Sequence, residues 1–357
     1  MQIVGLRNRI TIFTRMKLTT KIISILLLLV SLTLNAQTND SFIHNGLTRN
    51  FVYYKPSSWT PSESLPLLIV LHGVTQTGSG LMNITGFNSI AESDNFIVCY
   101  PDGINASWNA DMDIINSQVD DLGFIEELSI YMQNNLNTDP TKQYLTGISN
   151  GAFMCYKILC ESTQCYAGAA TVAGTMSHSV SQNCNPQNNT DILHIHGTLD
   201  GVVSYNGSPS TGISVDELMQ TWKSFYNCDE IPNIDQMPNI NILDLSYAER
   251  HTYLNCDNAE LEHIKVIGGG HQWPGILTIW GGVGTINMDF YSPQIIWDFL
   301  NGKECSQISQ INQADNNNSK KLVKIIDMMG RETKFKTNTP LILIYSDGTK
   351  EKIIQLN

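Results

Sequence analysis

Apolar runs separated by amphipathic segments dominate the chain between about residues 42 and 305. The runs are continuous rather than alternating, which is typical of strands that helices cover on both faces of a sheet. Six strands are predicted, over residues 65–73, 95–101, 143–149, 167–174, 191–197 and 261–270. Their alternation with helices predicts the α/β class, with a mostly parallel central sheet and right-handed crossovers.

The segments between these runs carry apolar residues at helical spacing. Asp120 and Asp121 can cap a helix in which Ile125, Leu128 and Met132 recur every three or four residues. Three more helices are predicted over residues 150–161, 214–227 and 292–301. Helices therefore cover both faces of the predicted sheet, and functional residues are expected at the carboxyl ends of its strands.

The first 36 residues have the pattern of a signal peptide. Lys17 and Lys21 precede "IISILLLLVSLTL", an apolar run too short for a comfortable membrane span, and "LNA" ends at Ala36 like a signal-peptidase site. Met16 would give a better basic start than Met1. We therefore expect a mature protein that begins near Gln37.

A polar stretch over residues 306–319 has no periodicity and is predicted to be a linker. Short β-like runs follow it over residues 320–357. Residues 315–357 hold eight basic and five acidic residues, a net charge of +3, whereas residues 37–314 carry −20. The change of sign predicts a separate C-terminal β module behind a domain over residues 37–305.

Composition and charge exclude several function classes. Hydrophobic residues make up 42% of the 357 residues, enough for a large core. Without residues 1–36, which hold five basic and no acidic residues, 16 basic and 33 acidic residues remain, a net charge of −17. Such an acidic protein is a poor ligand for nucleic acid or anionic lipid.

Eight cysteines in an exported chain predict disulfides. Cys228 with Cys256 is the preferred pair, and two of Cys160, Cys165 and Cys184 can form another. The spacing of the cysteines matches no zinc site.

The segment "QYLTGISNGAFM" places Ser149 between a predicted strand and a predicted helix. A serine nucleophile needs a histidine base, an orienting carboxylate and oxyanion donors. Asp200 follows the strand "DILHIHG", and His271 follows "HIKVIGGG", so the three groups come in the order of α/β-hydrolases. Asp191, which opens its strand at the wrong end, and Asp216, in the first turn of a helix, are weaker candidates for the acid.

The backbone N–H groups of Asn150 and Val74 are the predicted oxyanion donors. His72 is predicted to be a structural histidine of the Val74 loop. His194 and His196 lie on one face of a strand, where buried, hydrogen-bonded histidines are expected rather than a metal pair, since no third ligand is evident.

Two tryptophans are candidates for substrate binding. Trp108 in "DGINASWNA" and Trp273, two residues past His271, can line a cleft and stack on an aromatic or sugar ring. Ordinary packing of both side chains is the alternative.

Six blocks together resemble the secreted polyhydroxybutyrate depolymerase and feruloyl esterase group of α/β-hydrolases: "VLHGVTQTG", "YPDGINASWNA", "VDDLGFIEEL", "LTGISNGAFM", "HGTLDGVVSY" and "GGGHQWPG". The resemblance covers roughly residues 42–305. It implies the α/β-hydrolase fold and a serine esterase with Ser149, Asp200 and His271 as the triad, without metal or organic cofactor. Family members often have cysteine where Val74 stands here.

The tail over residues 320–357 resembles a C-terminal sorting domain of the type IX secretion system. This resemblance implies the secretion machinery as a partner and an extracellular or cell-surface location. Because export by this route suits polymer foraging, the predicted substrates are feruloyl or acetyl esters of polysaccharides. A polyhydroxyalkanoate depolymerase and a non-catalytic surface binding protein on the same fold are the alternatives.

Overall fold

A computed structural model describes residues 37–115, 117–277 and 283–305 and, further on, residues 322–327, 331, 333, 340–345 and 350–353. The chain divides into two compact units, residues 1–306 and 307–357. The predicted signal peptide (residues 1–36) and linker (residues 306–319) lie outside the described residues. Within the described residues, no helix is long and apolar enough to cross a membrane.

A ten-stranded sheet forms the centre of the first unit. Its strands are β1 (Gln37–His44), β2 (Leu47–Tyr54), β3 (Leu65–Leu71), β4 (Ile97–Pro101), β5 (Thr138–Ile148), β6 (Gly168–Val172), β7 (Asp191–Gly197), β8 (Asn233–Gln236), β9 (Tyr247–Tyr253) and β10 (Leu261–Ile267). The strand order is β1-β2-β4-β3-β5-β6-β7-β10-β9-β8. The six inner strands are parallel and the two outer strands at each edge are antiparallel, which confirms the mostly parallel sheet.

Seven helices are described: α1 (Gly78–Thr85), α2 (Phe87–Asp94), α3 (Asp121–Leu136), α4 (Asn150–Glu161), α5 (His178–Asn183), α6 (Val215–Phe225) and α7 (Ser292–Leu300). The cap predicted for α3 is present, since the Asp120 side chain accepts from Gly123 N–H at 2.9 Å. Ser214 and Glu217 form a capping box at the start of α6. Each predicted helix is thus found close to its expected bounds.

The helices cover the two faces of the sheet, and the buried positions of β3 alternate between them. Leu67 and Ile69 pack in one hydrophobic core with residues of α3, α4, α5 and α6. Leu68 and Val70 pack in a second core with residues of α1, α2 and α7. Burial on both faces is the physical reason for the continuous apolar runs in the sequence.

Three disulfides join cysteines of the first unit: Cys160–Cys184, Cys165–Cys305 and Cys228–Cys256. The preferred pair of Cys228 with Cys256 is confirmed, and Cys160 with Cys184 is one of the pairings that the sequence left open. The bond from Cys165 to Cys305, across 140 residues, was not predicted. Cys99 and Cys155 are free and buried.

The second unit contains an antiparallel sheet of three strands, β11 (Leu322–Asp327), β12 (Leu341–Tyr345) and β13 (Lys350–Ile353), in that order. A small C-terminal β module, as predicted from the short β-like runs, is therefore present.

Candidate active site

Ser149 lies at the sharp turn between β5 and α4. Its backbone has φ 56° and ψ −126°, a strained conformation for a residue with a side chain and one that functional sites often maintain. The Ser149 N–H donates to Val172 O at 2.9 Å, which fixes the turn against β6. The residue therefore has the backbone of a nucleophile elbow, the strand-to-helix turn of a catalytic serine.

Gly147 and Gly151 are needed where they stand because other backbone lies against them. A β-carbon on Gly151 would lie 2.2 Å from Leu71 O, and one on Gly147 would lie 2.6 Å from the carbonyl carbon of Gly151. Side chains do not fit at such distances. The glycines on either side of Ser149 let α4 begin directly against the end of β3.

His271 and Asp200 meet beyond the carboxyl ends of β10 and β7. His271 Nδ1–H donates to Asp200 Oδ2 at 2.8 Å, and His271 N–H donates to Val283 O at 2.7 Å. The two loops pack closely, since a β-carbon on Gly197 would lie 2.3 Å from Gly269 O. The glycines around both residues thus allow the imidazole and the carboxylate to meet.

Four nitrogen atoms surround the carboxylate of Asp200. Oδ1 accepts from the N–H groups of Val202 and Val203, both at 2.8 Å, and Oδ2 lies 2.8 Å from His271 Nδ1 and 3.3 Å from His196 Nε2. Burial alone would raise the pKa of Asp200, but the hydrogen bonds from His196 and His271 hold it well below its usual value. Asp200 is therefore an ionised, fixed acceptor for the imidazole.

Ser149 and His271 line one cleft of about 390 Å³. No hydrogen bond joins Ser149 Oγ to His271 Nε2 in the described part of the chain. Contacts of this kind are often long without substrate and shorten in the complex. The structure thus brings Ser149, His271 and Asp200 to one rim of the sheet, with Asp200 behind His271.

The two predicted oxyanion donors, Val74 and Asn150, also line this cleft. Among the described residues, no backbone carbonyl accepts from either N–H. The Val74 loop is fixed on both sides, because Thr75 N–H donates to Ala106 O at 2.8 Å and Gln76 N–H donates to Gly73 O at 3.2 Å. Both N–H groups remain available for a ligand in the cleft.

His72 is a structural histidine, as predicted. Gly103 N–H donates to His72 Nε2 at 2.9 Å, so the ring proton lies on Nδ1, which donates to Gly73 O at 2.8 Å. Burial lowers the pKa of this histidine and keeps the ring neutral. The imidazole fixes the start of the Val74 loop rather than acting as a base.

The prediction that Trp108 contacts substrate is wrong. Its side chain is fully buried, and its indole N–H donates to His72 O at 2.9 Å. Trp108 is not among the described residues that line the cleft. The side chain packs under the Val74 loop, because an indole whose N–H finds a carbonyl acceptor can be buried at low cost.

Trp273 is nearly buried, yet it forms part of the cleft wall. The indole Nε1 has no hydrogen-bond partner among the described residues. Substrate contact therefore stays a prediction for Trp273.

The cleft is mainly apolar. Its described lining residues are Gly73, Val74, Thr75, Gln76, Ile84, Met112, Ile114, Ile148, Ser149, Asn150, Val202, Val203, Thr211, His271, Gln272 and Trp273. None of these is a lysine, arginine, aspartate or glutamate. Most were missed by sequence reasoning, because they come from many loops and no single motif marks them.

His194 and His196 are buried and hydrogen-bonded, as predicted. His194 Nδ1 lies 2.9 Å from both Tyr156 Oη and Thr171 Oγ1. Across the described ranges, no group of three or more His, Cys, Asp or Glu side chains could hold a metal ion. The contact of His196 with Asp200 was missed, although the two residues are only four positions apart.

Known esterases resemble this chain in sequence and in fold. The family model described as "Putative esterase" matches residues 46–266. A bifunctional acetylxylan esterase/xylanase from Neocallimastix patriciarum is 26% identical over 263 residues, 73% of this chain and 34% of the relative. Feruloyl esterase B from Piromyces equi is 26% identical over 238 residues, 62% of this chain and 42% of the relative. The chain thus spans about a third of the first relative and less than half of the second.

The solved structure of an acetyl xylan esterase from Aspergillus awamori matches with a TM-score of 0.50 and 15% identity, over 68% of this chain and 96% of that one. This likeness concerns the fold, and it confirms the α/β-hydrolase fold. The family model spans more than half of the chain. The chain therefore belongs to the putative esterase family.

Proposed function

We propose that this protein is an exported serine esterase that hydrolyses carboxylic esters on polysaccharides, either acetyl or feruloyl esters. The observation that carries the proposal is the 2.8 Å hydrogen bond from His271 to Asp200 beside a cleft that also holds Ser149 on a strained turn. Nucleophile, base and orienting acid are the groups that acyl transfer requires.

In the proposed reaction, Ser149 Oγ attacks the ester carbonyl while His271 Nε2 takes the hydroxyl proton. Asp200 accepts from His271 Nδ1–H, so the lone pair of the neutral ring is on Nε2. The carboxylate also stabilises the imidazolium that forms, because it is ionised and held in place by the N–H groups of Val202 and Val203.

The oxygen of the tetrahedral intermediate would accept from the N–H groups of Val74 and Asn150. His271 then gives its proton to the leaving alcohol, and the acyl group remains on Ser149. Water, activated by the same imidazole, releases the acid and restores the serine. Each of these steps uses groups of this chain and requires no cofactor.

The apolar cleft supports a neutral acyl group. The apolar walls of the cleft come from Ile84, Met112, Ile114 and Trp273. Transfer of an aromatic or alkyl acyl group from water into this cleft is favourable. A negatively charged acyl group would find no lysine or arginine among the described lining residues. Feruloyl and acetyl groups are both uncharged.

A second cavity, which has polar side chains in its wall, supports a carbohydrate on the alcohol side of the ester. This cavity, of about 250 Å³, shares Gln76 with the cleft. Its wall includes Thr48, Asn50, Asp102 and Asn105, whose hydroxyl, amide and carboxylate groups are suited to sugar hydroxyls.

Export is part of the proposal. The three disulfides support an oxidising compartment. We propose cleavage after Ala36, a domain over residues 37–305, a linker over residues 306–319 and a type IX sorting domain over residues 320–357. Mass spectrometry of the protein from the culture medium would identify the N-terminus and show whether the tail is removed.

The test of the reaction is hydrolysis of a short chromogenic ester by wild-type protein, Ser149→Ala and the surface control Ser93→Ala. We expect Ser149→Ala to lose about 10³-fold or more in kcat and the control to keep its rate. Equal rates for wild type and Ser149→Ala would exclude the mechanism. An inactive wild-type protein would favour the surface-binding alternative.

The substrate is tested with a panel of methyl ferulate, acetylated xylan and polyhydroxybutyrate. The proposal expects a higher kcat/KM for one of the first two than for the polyester. Preference for polyhydroxybutyrate would instead support a polyhydroxyalkanoate depolymerase on the same triad.

A further inference from the structure

We infer that His196, with His194 behind it, is a positioning residue for the carboxylate of Asp200. The inference rests on the proposed function, because it concerns the same triad. It assigns a positioning role to two buried histidines that neither line the cleft nor take part in proton transfer.

A continuous row of polar groups leads away from Asp200 into the protein. Asp200 Oδ2 lies 3.3 Å from His196 Nε2, and His196 Nδ1 lies 3.2 Å from His194 Nε2. His194 Nδ1 lies 2.9 Å from the hydroxyl oxygens of Tyr156 and Thr171. All five side chains are buried.

The protons of this row can be assigned from the acceptors at its end. His196 Nε2 faces two oxygens, Asp200 Oδ2 and Val203 O at 2.9 Å, so it must carry a proton. A neutral His196 then accepts at Nδ1, and the donor is His194 Nε2–H. His194 Nδ1 in turn accepts from Thr171 or Tyr156. The one proton of His196 Nε2 donates to Val203 O at 2.9 Å, and Asp200 Oδ2 lies 3.3 Å from the same nitrogen, so the donors of the row point toward the loop that carries the carboxylate.

Packing alone does not explain the two imidazoles. The neighbouring positions of β7, Leu193 and Ile195, fill one core with aliphatic side chains, and Ile192 does so on the face that His194 and His196 share. An aliphatic residue at either histidine position would need no partner, whereas a buried imidazole must have its hydrogen bonds satisfied. The partners that satisfy them lead to Asp200.

The effect of the row is to fix the direction of Asp200 Oδ2. The N–H groups of Val202 and Val203 hold Oδ1, and His196 Nε2 lies 3.3 Å from Oδ2 while it donates to Val203 O. Without His196, Oδ2 would keep only His271 as its donor, and the carboxylate and the imidazole could tilt together. A misplacement of about 1 Å can lower kcat by up to about 100-fold.

The experiment compares His196→Phe, His196→Gln and the matched control His263→Phe, assayed with a short chromogenic ester. His263 is also buried on a neighbouring strand, where it contacts Tyr205 and His194 O rather than Asp200. We expect His196→Phe to lose about tenfold in kcat at unchanged KM. His196→Gln, which can restore a donor toward Oδ2, should recover part of that loss, and His263→Phe should stay within about twofold of wild type.

Proton NMR gives a readout that does not depend on turnover. The low-field resonance of the proton between His271 and Asp200, identified by its loss in His271→Gln, should move in His196→Phe and stay in place in His263→Phe. If His196→Phe does not fold, His196→Asn, whose shorter side chain cannot reach Oδ2, takes its place.

The inference is overturned if folded His196→Phe keeps wild-type kcat and an unmoved resonance, or if His263→Phe changes both to the same extent. A wild-type protein that hydrolyses no ester would contradict the proposed function instead, and the resonance would still test the positioning of Asp200.

Discussion

The side chain of Asn150 and the backbone of Trp108 exchange two hydrogen bonds, with Trp108 N–H donating to Oδ1 at 2.6 Å and Nδ2 donating to Trp108 O at 3.0 Å. The Trp108 indole in turn donates to His72 O. One proposed oxyanion donor, Asn150 N–H, is thereby linked through a buried tryptophan to the loop that carries the other, Val74 N–H.

Replacement of Trp108 by phenylalanine tests this link. Trp108→Phe keeps an aromatic ring but removes the donor to His72 O, so we expect about 1 kcal/mol lower stability and several-fold lower kcat. Trp297→Phe is the matched control, because this buried indole donates to Asp94 Oδ2 on the opposite face of the sheet. Its stability should fall similarly while kcat is retained. Equal kcat in both variants would show that the link has no effect on catalysis.

Gly151→Ala tests the close contact at the serine turn. The new β-carbon would lie 2.2 Å from Leu71 O, so α4 must move away from β3. We expect a loss of stability of about 3 kcal/mol or more and loss of esterase activity. Gly201→Ala is the control, since its β-carbon would meet no atom closer than 3.8 Å. Urea unfolding curves measure both changes, and a stable, active Gly151→Ala would contradict the contact.

The disulfides are expected to stabilise the first unit according to the length of chain that each closes. Replacing Cys165 and Cys305 by serine opens a loop of 140 residues and should cost about 5 kcal/mol in the chain-entropy model. Replacing Cys160 and Cys184, 24 residues apart, should cost about 3 kcal/mol. Thermal unfolding of the two double variants gives the order, and a smaller loss for the first would argue against an entropic origin.

Buried neutral histidines make stability depend on pH. Burial lowers the pKa of His72 and His194, and it lowers the pKa of His263 to about 3. In the unfolded chain these rings take up protons below about pH 6.5. The destabilising effect is absent above that pH. For His263 it grows as the pH falls toward 3, by about 1.4 kcal/mol per pH unit, and His72 and His194 act in the same direction.

The variant His263→Gln isolates this effect. Buried carboxyls with raised pKa, such as Asp121 and Glu262, act in the opposite direction, so the contribution of one histidine is obtained as a difference. Between pH 6 and pH 4.5, urea unfolding should show a slope about 1.4 kcal/mol per pH unit smaller in His263→Gln than in wild type. Parallel slopes would mean that His263 is charged in the folded protein.

The sequence allowed the inner strands, four helices and the positions of Ser149, Asp200 and His271 at strand ends to be predicted, because burial on both faces leaves continuous apolar runs and each of these three residues directly follows one. The four outer strands β1, β2, β8 and β9 were missed. They are partly or fully exposed, so their residues need not be apolar.

Predictions about side-chain direction were harder. "DGINASWNA" does not show whether Trp108 faces the cleft or the core, and its burial depends on His72, 36 positions earlier. The bond between Cys165 and Cys305 was missed for the same reason, because partners 140 residues apart leave no local signal in the sequence. His196 was recognised as hydrogen-bonded, but its contact with Asp200 depends on how the turn after β7 folds back.

Cys305 is the last residue that the structure describes before the chain enters its second unit. Its disulfide to Cys165 links this end of the first unit to the segment just before β6. After proteolytic cleavage just downstream of Cys305, the disulfide would still hold α7 to the first unit, and unfolding could not begin from a free C-terminal end.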